Sequence, residues 1–125
     1  MFRRNFLVSM TTLTVFGAAT AAPPPHEHAR IEKLIRFVET QQDMKFIRNG
    51  TEYSCTEAGK FLRGKLESMG KDVASARDFI ERIASRSTMS GKLYHVKFAD
   101  GRTMPAGQFL GEELKRLDGS GGASS

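Results

Sequence analysis

Four stretches of the chain place apolar side chains at the three- and four-residue spacing of an amphipathic helix. The stripes consist of Ile31, Leu34, Ile35 and Val38; of Ala58, Phe61, Leu62, Leu66 and Met69; of Ala76, Phe79, Ile80, Ile83 and Ala84; and of Phe109, Leu110, Leu114 and Leu117. Two of the predicted helices have a marked start. Ser54 and Glu57 have the spacing of a capping box, and Ser75 precedes the third stripe in the same way. The pattern predicts four helices around one core.

Shorter segments between these helices have the pattern of strands. Residues 44–47 are predicted to form a short strand, and Asn49-Gly50 after it favours a tight turn, because both residues tolerate a positive φ. Residues 93–98 alternate, with Tyr94, Val96 and Phe98 on one face, and Asp100-Gly101 predicts a second turn. The sequence therefore predicts an α+β, mainly helical domain: about four amphipathic helices with a small antiparallel sheet of short strands.

The N-terminal residues have the three-part order of a secretory signal peptide. Arg3 and Arg4 give a basic start, residues 6–19 carry no charge, and small residues follow up to Ala21. The uncharged stretch is shorter than a membrane-spanning helix, which needs about 20 residues. We expect cleavage after Ala21 rather than Ala22, because Pro23 would directly follow the later cut. Residues 1–21 are thus predicted to be removed, and the mature protein is expected in the bacterial periplasm or outside the cell.

The signal fits two export routes. Arg3-Arg4-x-Phe6-Leu7 is similar to a twin-arginine signal, which directs the export of folded proteins. A general secretion signal, whose arginines only supply the basic start, fits equally well.

The mature chain divides into three predicted segments. Residues 22–26 form a Pro-rich lead-in, residues 27–117 a single globular domain, and residues 118–125 a disordered Gly/Ser tail. Loss of the two signal arginines lowers the formal charge by two, from +5 to +3. The remaining basic residues are scattered among acids, which argues against nucleic acid as a partner. No transmembrane segment is predicted in the mature protein.

Several motifs together resemble the YfeK-like family of small exported bacterial proteins. The first half matches in Phe46-Ile47-Arg48-Asn49-Gly50, Tyr53, Ser54-x-x-Glu57-Ala58 and Leu62-Arg63-x-Lys65; the second half in Ala76-x-Asp78-Phe79-Ile80-x-x-Ile83-Ala84-Ser85 and Ser87-x-x-Ser90-Gly91-Lys92-x-Tyr94. The resemblance implies a domain of unknown function, and therefore no particular activity. The chain departs from the expected pattern at Phe61, where the family would carry His, at Leu93 for Pro, and at Phe109 for Trp.

Two groups of polar residues are candidates for binding. The candidates are Arg48, Asn49, Tyr53 and Arg63 around the first turn, and Ser87, Ser90 and Tyr94 in and after a hydroxyl-rich segment. An arginine on a turn held by a rigid scaffold can bind a carboxylate or phosphate, and a row of hydroxyls can line a sugar or peptide site. Alternatively, Asn49 serves only the turn, Tyr53 fills the core, and the serines cap helix ends.

Cys55 is the single cysteine, so the chain cannot form an internal disulfide. If Ser54 caps the helix, Cys55 is its first residue, where the helix dipole lowers the pKa of a thiol and would make it reactive. The alternative is a small half-buried side chain without a reaction. His26 and His28 would bind copper or nickel weakly at most, since structural metal sites need three or four ligands. No metal or cofactor is predicted.

These observations favour a non-enzymatic binding module of the cell envelope, with an unknown envelope protein or a small ligand as its partner. The alternative from another class is a small thiol- or hydroxyl-dependent enzyme that uses Cys55 or Ser90 with His95. A third possibility is attraction of the +3 mature chain to an anionic surface, which salt would weaken.

Overall fold

The structure, a computed structural model, describes residues 23–124, with side chains up to residue 119. The predicted signal peptide and its cleavage positions Ala21 and Ala22 lie outside the described residues. The helices are α1 (Pro25–Glu39), α2 (Cys55–Met69), α3 (Ala76–Asp78) and α4 (Ala106–Ser124), with a 3-10 turn at Gly70–Asp72 and a π-helix at Phe79–Ala84. The strands are β1 (Lys45–Arg48), β2 (Thr51–Ser54), β3 (His95–Lys97) and β4 (Thr103–Pro105).

The first helix, which the apolar spacing predicts over about residues 27–42, begins two positions earlier, at Pro25. Pro25 occupies the first turn, where the missing N–H of a proline costs nothing and its fixed φ suits the helix. The helix ends at Glu39 rather than at Gln42, and the Gln41 side chain donates to the carbonyl of Phe37. All four members of the predicted apolar stripe are buried.

The predicted capping box of α2 is confirmed. The Ser54 hydroxyl accepts a hydrogen bond from the Glu57 backbone N at 3.1 Å, and the Glu57 carboxylate accepts one from the Ser54 N at 3.0 Å. These bonds from Ser54 lower the pKa of Glu57. The hairpin turn before this helix is confirmed as well, since Asn49 and Gly50 have φ of 51° and 82°.

The third predicted helix changes its hydrogen-bonding pattern midway. Ser75 caps its start by accepting from the Asp78 N, but the helix continues as a π-helix from Phe79 to Ala84. Side chains bond to carbonyls of this segment: the Ser85 hydroxyl donates to the Ile80 oxygen at 2.5 Å. The Lys65 ammonium donates to the Ile83 oxygen at 2.9 Å. Side-chain donors of this kind favour a local change of helix type, which sequence periodicity does not reveal.

The four strands form one antiparallel sheet in the order β2-β1-β3-β4. Each predicted hairpin supplies two adjacent strands, and the pairing of β1 with β3 joins the hairpins, with Phe46 opposite Val96. Both of these side chains are buried beneath the helices. The predicted α+β, mainly helical class with a small antiparallel sheet is confirmed.

The core is a single cluster that all four helices share with one face of the sheet. Its largest fully buried side chains are Tyr94, Phe46, Phe79, Ile31, Leu34, Ile35, Leu62, Ile83, Leu110 and Leu114. Across residues 23–124, none of the helices combines the length and the apolar character that crossing a bilayer requires.

The last helix extends beyond its predicted end. The sequence placed the boundary at Leu117, with a disordered tail at 118–125, whereas α4 continues to Ser124 in the structure. Two effects favour the extension. A helix that has formed adds one hydrogen bond per further residue, and Asp118 is held by Arg30 of α1, whose Nη2 lies 2.8 Å from the carboxylate.

Candidate binding cleft

A cleft of about 350 Å³ opens between the β1–β2 turn, α2 and the loop that follows the π-helix. Its walls consist of Arg48, Asn49, Phe61, Lys65, Met69, Ser87, Thr88, Met89, Ser90 and Tyr94. The structure thus brings together five of the seven candidate binding residues, which come from two separate parts of the chain: Arg48, Asn49, Ser87, Ser90 and Tyr94. Tyr53 lines an adjoining cavity of about 160 Å³ together with Arg48.

The hydroxyl-rich segment is a tight loop held by its own hydrogen bonds. Ser87 N donates to the Lys92 oxygen and Gly91 N to the Ser87 oxygen, each at 2.9 Å, and Gly91 has a φ of 74°. The Ser90 hydroxyl donates to Asn49 Oδ1 at 2.9 Å, which ties the loop to the β1–β2 turn. The hydroxyls of this loop therefore fix the position of the cleft wall.

Arg48 lies with its guanidinium over an aromatic ring. Its Cζ is 4.1 Å from the ring centroid of Phe61, a cation–π distance, and its Nη2 donates to the Tyr53 hydroxyl at 3.4 Å. None of the ion pairs among the described residues includes Arg48. The face of the guanidinium is covered, while its charge has no carboxylate partner in this part of the chain.

Lys65 is a cleft residue that the sequence did not single out as a site. Its ammonium donates to the carbonyl oxygens of Ile83 and Arg86, at 2.9 and 2.8 Å, and to the Tyr94 hydroxyl at 3.1 Å. The carbonyls lie at the end of the π-helix, where unpaired oxygens attract a cation. Burial lowers the pKa of Lys65, and the positive charge of Arg48 lowers it further. The partners are 18 to 29 residues away in sequence, so no local signal reveals them.

Tyr94 is a buried residue that lines the cleft. Its ring is 1% exposed and lies between the rings of Phe46 and Phe61, with centroid distances of 5.6 and 5.7 Å. Burial raises the pKa of Tyr94 and outweighs the charge and hydrogen bonding of the nearby Arg48, which lower it, so the hydroxyl keeps its proton at neutral pH. The hydroxyl accepts from Lys65, and its own hydrogen has no acceptor among the hydrogen bonds of residues 23–119.

Arg63 lies away from this cleft. Its Nε is 3.0 Å from Glu39 and its Nη1 is 2.8 Å from Glu32, so it joins α2 to α1. The hydrogen bonds to Glu39 and then to Glu32 raise the pKa of Arg63. This arginine lines a different depression, of about 470 Å³, between the two helices. The structure therefore does not bring Arg63 together with the other candidates.

Cys55 lacks the surroundings of a reactive thiol. The residue is 2% exposed, and its thiol donates to the Met44 carbonyl oxygen at 3.3 Å. Burial raises the pKa of Cys55, and this effect exceeds the opposing influence of Lys45. The reactivity expected from the first position of α2 is thus opposed by burial, because the thiolate is the reactive form.

The enzymatic alternative requires His95 to act as a base for Ser90 or Cys55. His95 is in β3, opposite Ile47 of β1 and Pro105 of β4. The bonds of the two proposed nucleophiles go to other groups, from Ser90 to Asn49 and from Cys55 to Met44. Within the described residues, neither nucleophile is hydrogen-bonded to His95.

The two N-terminal histidines belong to the first turn of α1 rather than to an extended lead-in. His26 Nε2 lies 3.0 Å from the carboxylate of Glu27. Among residues 23–124, the structure contains no group of three or more His, Cys, Asp or Glu side chains placed to hold a metal ion.

The sequence is similar to a known protein family and to a known protein. Residues 25–118 match the model of a family described as "Family of unknown function (DUF5329)". Over 91 residues the chain is 39% identical to the uncharacterized protein YfeK of Salmonella typhimurium, and the alignment covers 73% of this chain and 76% of that protein. No solved structure matches the chain.

Proposed function

The chain belongs to the DUF5329 family of unknown function, and from that premise we propose that it is an exported protein of the bacterial cell envelope that binds a ligand or partner without catalysis. The binding site is the cleft between the β1–β2 turn and the loop at residues 87–92. One observation carries the proposal: the Arg48 guanidinium and the Tyr94 hydroxyl border the same cleft with bonding capacity left over.

The composition of the cleft supports binding. Its volume of about 350 Å³ lies within the range of small-molecule sites, about 300–1,000 Å³. Such sites combine apolar walls with a few fixed polar groups, and here Phe61, Met69 and Met89 supply the apolar walls. Met89 is 97% exposed at the rim, and an unbranched methionine adapts readily to the shape of a partner.

Two features support a role without catalysis. A serine or cysteine nucleophile needs a base within hydrogen-bonding reach. The Ser90 hydroxyl instead donates to Asn49, and the Cys55 thiol is buried against Met44. The polar groups that remain available, Arg48 and Tyr94, are typical of recognition rather than of bond cleavage at neutral pH.

Export is tested by the mass of the protein recovered from the cell envelope. The three-part pattern of residues 1–21 supports cleavage after Ala21. We expect an intact mass that corresponds to a chain beginning at Ala22. Recovery of a cytosolic chain that retains residues 6–19 would contradict the proposed location. Replacement of Arg3 and Arg4 by lysines separates the routes, since the twin-arginine route requires the arginine pair.

Binding is tested by a photocrosslinker at the mouth of the cleft. A benzophenone amino acid in place of Met89 is expected to form an adduct of defined mass when cells that export the protein are irradiated. Met69→Trp fills the cleft from α2 and should abolish the adduct. Leu66→Trp is the matched control, because Leu66 is a half-buried apolar residue of the same helix that lines the other depression.

The comparison of these two variants decides the proposal. Both variants are first checked for a folded circular dichroism spectrum. If the adduct persists in Met69→Trp as strongly as in Leu66→Trp, the cleft is not the binding site. If no adduct forms with the photocrosslinker at position 89, binding at this cleft is likewise refuted.

A further inference from the structure

The cleft carries positive charge that no acidic side chain balances. Arg48 and Lys65 both border it, and neither takes part in an ion pair within the described part of the chain. The two cations are close enough for the charge of Arg48 to lower the pKa of Lys65. An anion bound in the cleft next to Arg48 and Lys65 would offset the repulsion between their two positive charges.

Arg48 keeps hydrogen-bond donors that an anion with two oxygens could accept. The guanidinium carbon of Arg48 lies 4.1 Å from the ring centroid of Phe61 and 5.2 Å from that of Tyr53, so two aromatic rings flank the charge. One nitrogen, Nη2, is engaged with Tyr53. A guanidinium carries five N–H donors, so others remain on Arg48, and a pair of them can bind the two oxygens of a carboxylate.

Lys65 fixes the direction of a second donor. An ammonium has three hydrogens, and here they meet Ile83, Arg86 and Tyr94. Lys65 therefore contributes a fixed positive charge. Its hydrogen bond to Tyr94 uses one lone pair of the hydroxyl oxygen. The Tyr94 hydrogen is then left to donate to a group in the cleft. A buried tyrosine hydroxyl without an acceptor costs free energy, which a bound oxyanion would recover.

From this geometry we infer that the cleft binds a carboxylate attached to an apolar group, with the carboxylate between the Arg48 guanidinium and the Tyr94 hydroxyl. The inference rests on the proposed function, since it names the ligand chemistry of the same cleft. The apolar group would lie against Phe61, Met69 and Met89, which form the walls next to the two donors. A free carboxyl terminus that follows an apolar residue has this chemistry.

An NMR titration of the ¹⁵N-labelled protein tests the inference with a matched pair of probes. N-acetyl-leucine has the carboxylate, and N-acetyl-leucinamide has the same apolar group without the charge. We expect N-acetyl-leucine to cause saturable chemical-shift changes at residues 48–49 and 87–94. The amide should bind at least about tenfold more weakly, because it lacks the charge-assisted hydrogen bonds of the carboxylate. Inorganic phosphate, an oxyanion without an apolar group, should bind more weakly than N-acetyl-leucine.

Two variants assign the donors. Arg48→Gln is expected to lower the affinity for N-acetyl-leucine about tenfold, and Tyr94→Phe is expected to lower it severalfold. Arg102→Gln is the control, because it also removes an arginine from an aromatic ring, that of Phe98, but outside the cleft. The control should leave the affinity unchanged. The same spectra show whether each variant is folded, because in a folded variant the residues distant from the substitution keep their wild-type chemical shifts.

The inference is overturned if the amide binds as well as the acid, if phosphate binds more tightly than N-acetyl-leucine, or if N-acetyl-leucine causes no saturable shift. Each of these results leaves the proposed function standing as long as Met69→Trp abolishes the adduct at position 89. An adduct that Met69→Trp leaves unchanged refutes the proposed function itself, whatever the titration gives. The two failures are therefore distinguishable.

Discussion

The Glu27 carboxylate of α1 accepts a hydrogen bond of 2.7 Å from the backbone N of Ala76, the first residue of α3. This N–H is one of those that a helix start leaves without an internal partner. Glu27 also accepts from Arg30 Nη1 at 2.7 Å and is only 8% exposed. A single side chain thus caps one helix from another and fixes how the two helices meet.

Glu27→Gln is expected to lower the free energy of unfolding by about 1–2 kcal/mol at pH 7, because the bonds of an ionised acceptor are stronger than those of an amide. The hydrogen bond from Ala76, followed by the bond and charge of Arg30, lowers the pKa of Glu27 below its ordinary 4.5. A carboxyl whose pKa is lower in the folded state stabilises at a pH above the unfolded pKa, and this stability is lost as the pH falls through the folded pKa.

Urea unfolding at pH 7 and pH 3 measures this effect. The difference between wild type and Glu27→Gln should be larger at pH 7 than at pH 3, where protonation of the wild-type carboxyl begins to remove its advantage. Glu67→Gln, which changes an exposed glutamate of α2, is the control and should differ little from wild type at either pH. A Glu27→Gln effect of equal size at both pH values would contradict the proposed role of the charge.

Two glycines of α2 are expected to respond in opposite ways to alanine. Gly64 has open space around it, so Gly64→Ala should raise the free energy of unfolding by about 0.5–1 kcal/mol. A Cβ at Gly59 would overlap the side chain of Glu39, which Arg63 holds with hydrogen bonds of 3.0 and 3.1 Å. Gly59→Ala should therefore lower the stability by about 1 kcal/mol or more.

A double variant isolates the cause at Gly59. When Glu39 is already alanine, Gly59→Ala no longer meets the carboxylate, and it should stabilise the helix as Gly64→Ala does. Thermal unfolding of the single and double variants gives the coupling between the two positions. Additive effects would mean that the contact with Glu39 is not what disfavours a side chain at Gly59.

The features that the sequence predicted correctly are those set by neighbouring residues. Ser54 and Glu57 are three positions apart, and the side chain of each accepts a hydrogen bond from the backbone N–H of the other. Asn49 and Gly50 take the positive φ values that their turn requires. The helix stripes are buried because a fixed spacing along the chain determines a common face.

The missed features depend on contacts between distant positions. No local sequence pattern reveals the role of Lys65, because its acceptors are Ile83 in the π-helix and Arg86 and Tyr94 beyond it, up to 29 residues away. No pattern near Glu27 marks it as a cap, because its partner Ala76 is 49 positions further on. Arg63 was grouped with Arg48 on the pattern of motifs, but its side chain points to α1, because helix periodicity places it on another face of α2.

Lys65 is expected to stabilise the fold as well as to border the cleft. Lys65→Met would leave the Ile83 and Arg86 carbonyls and the Tyr94 hydroxyl without their donor, at a cost of about 1–3 kcal/mol in the free energy of unfolding. Lys60→Met is the control, because Lys60 is exposed on the same helix, and its change should stay within about 0.5 kcal/mol. Equal effects of the two variants in urea unfolding would show that the three bonds of Lys65 add no stability.

Cys55 is expected to react slowly with a thiol reagent in the native protein. Only the thiolate reacts, and burial both raises the pKa of this thiol and excludes the reagent from the 2% exposed residue. Labelling by an aromatic disulfide at pH 7.5 should therefore wait for an opening of the structure, and proceed rapidly in urea. Because opening limits the reaction, the labelling rate should fall in Gly64→Ala and rise in Glu27→Gln, in proportion to their changes in stability where the opening is global. A native rate close to that of the unfolded chain, or a rate insensitive to both variants, would instead indicate an accessible thiol at the start of α2.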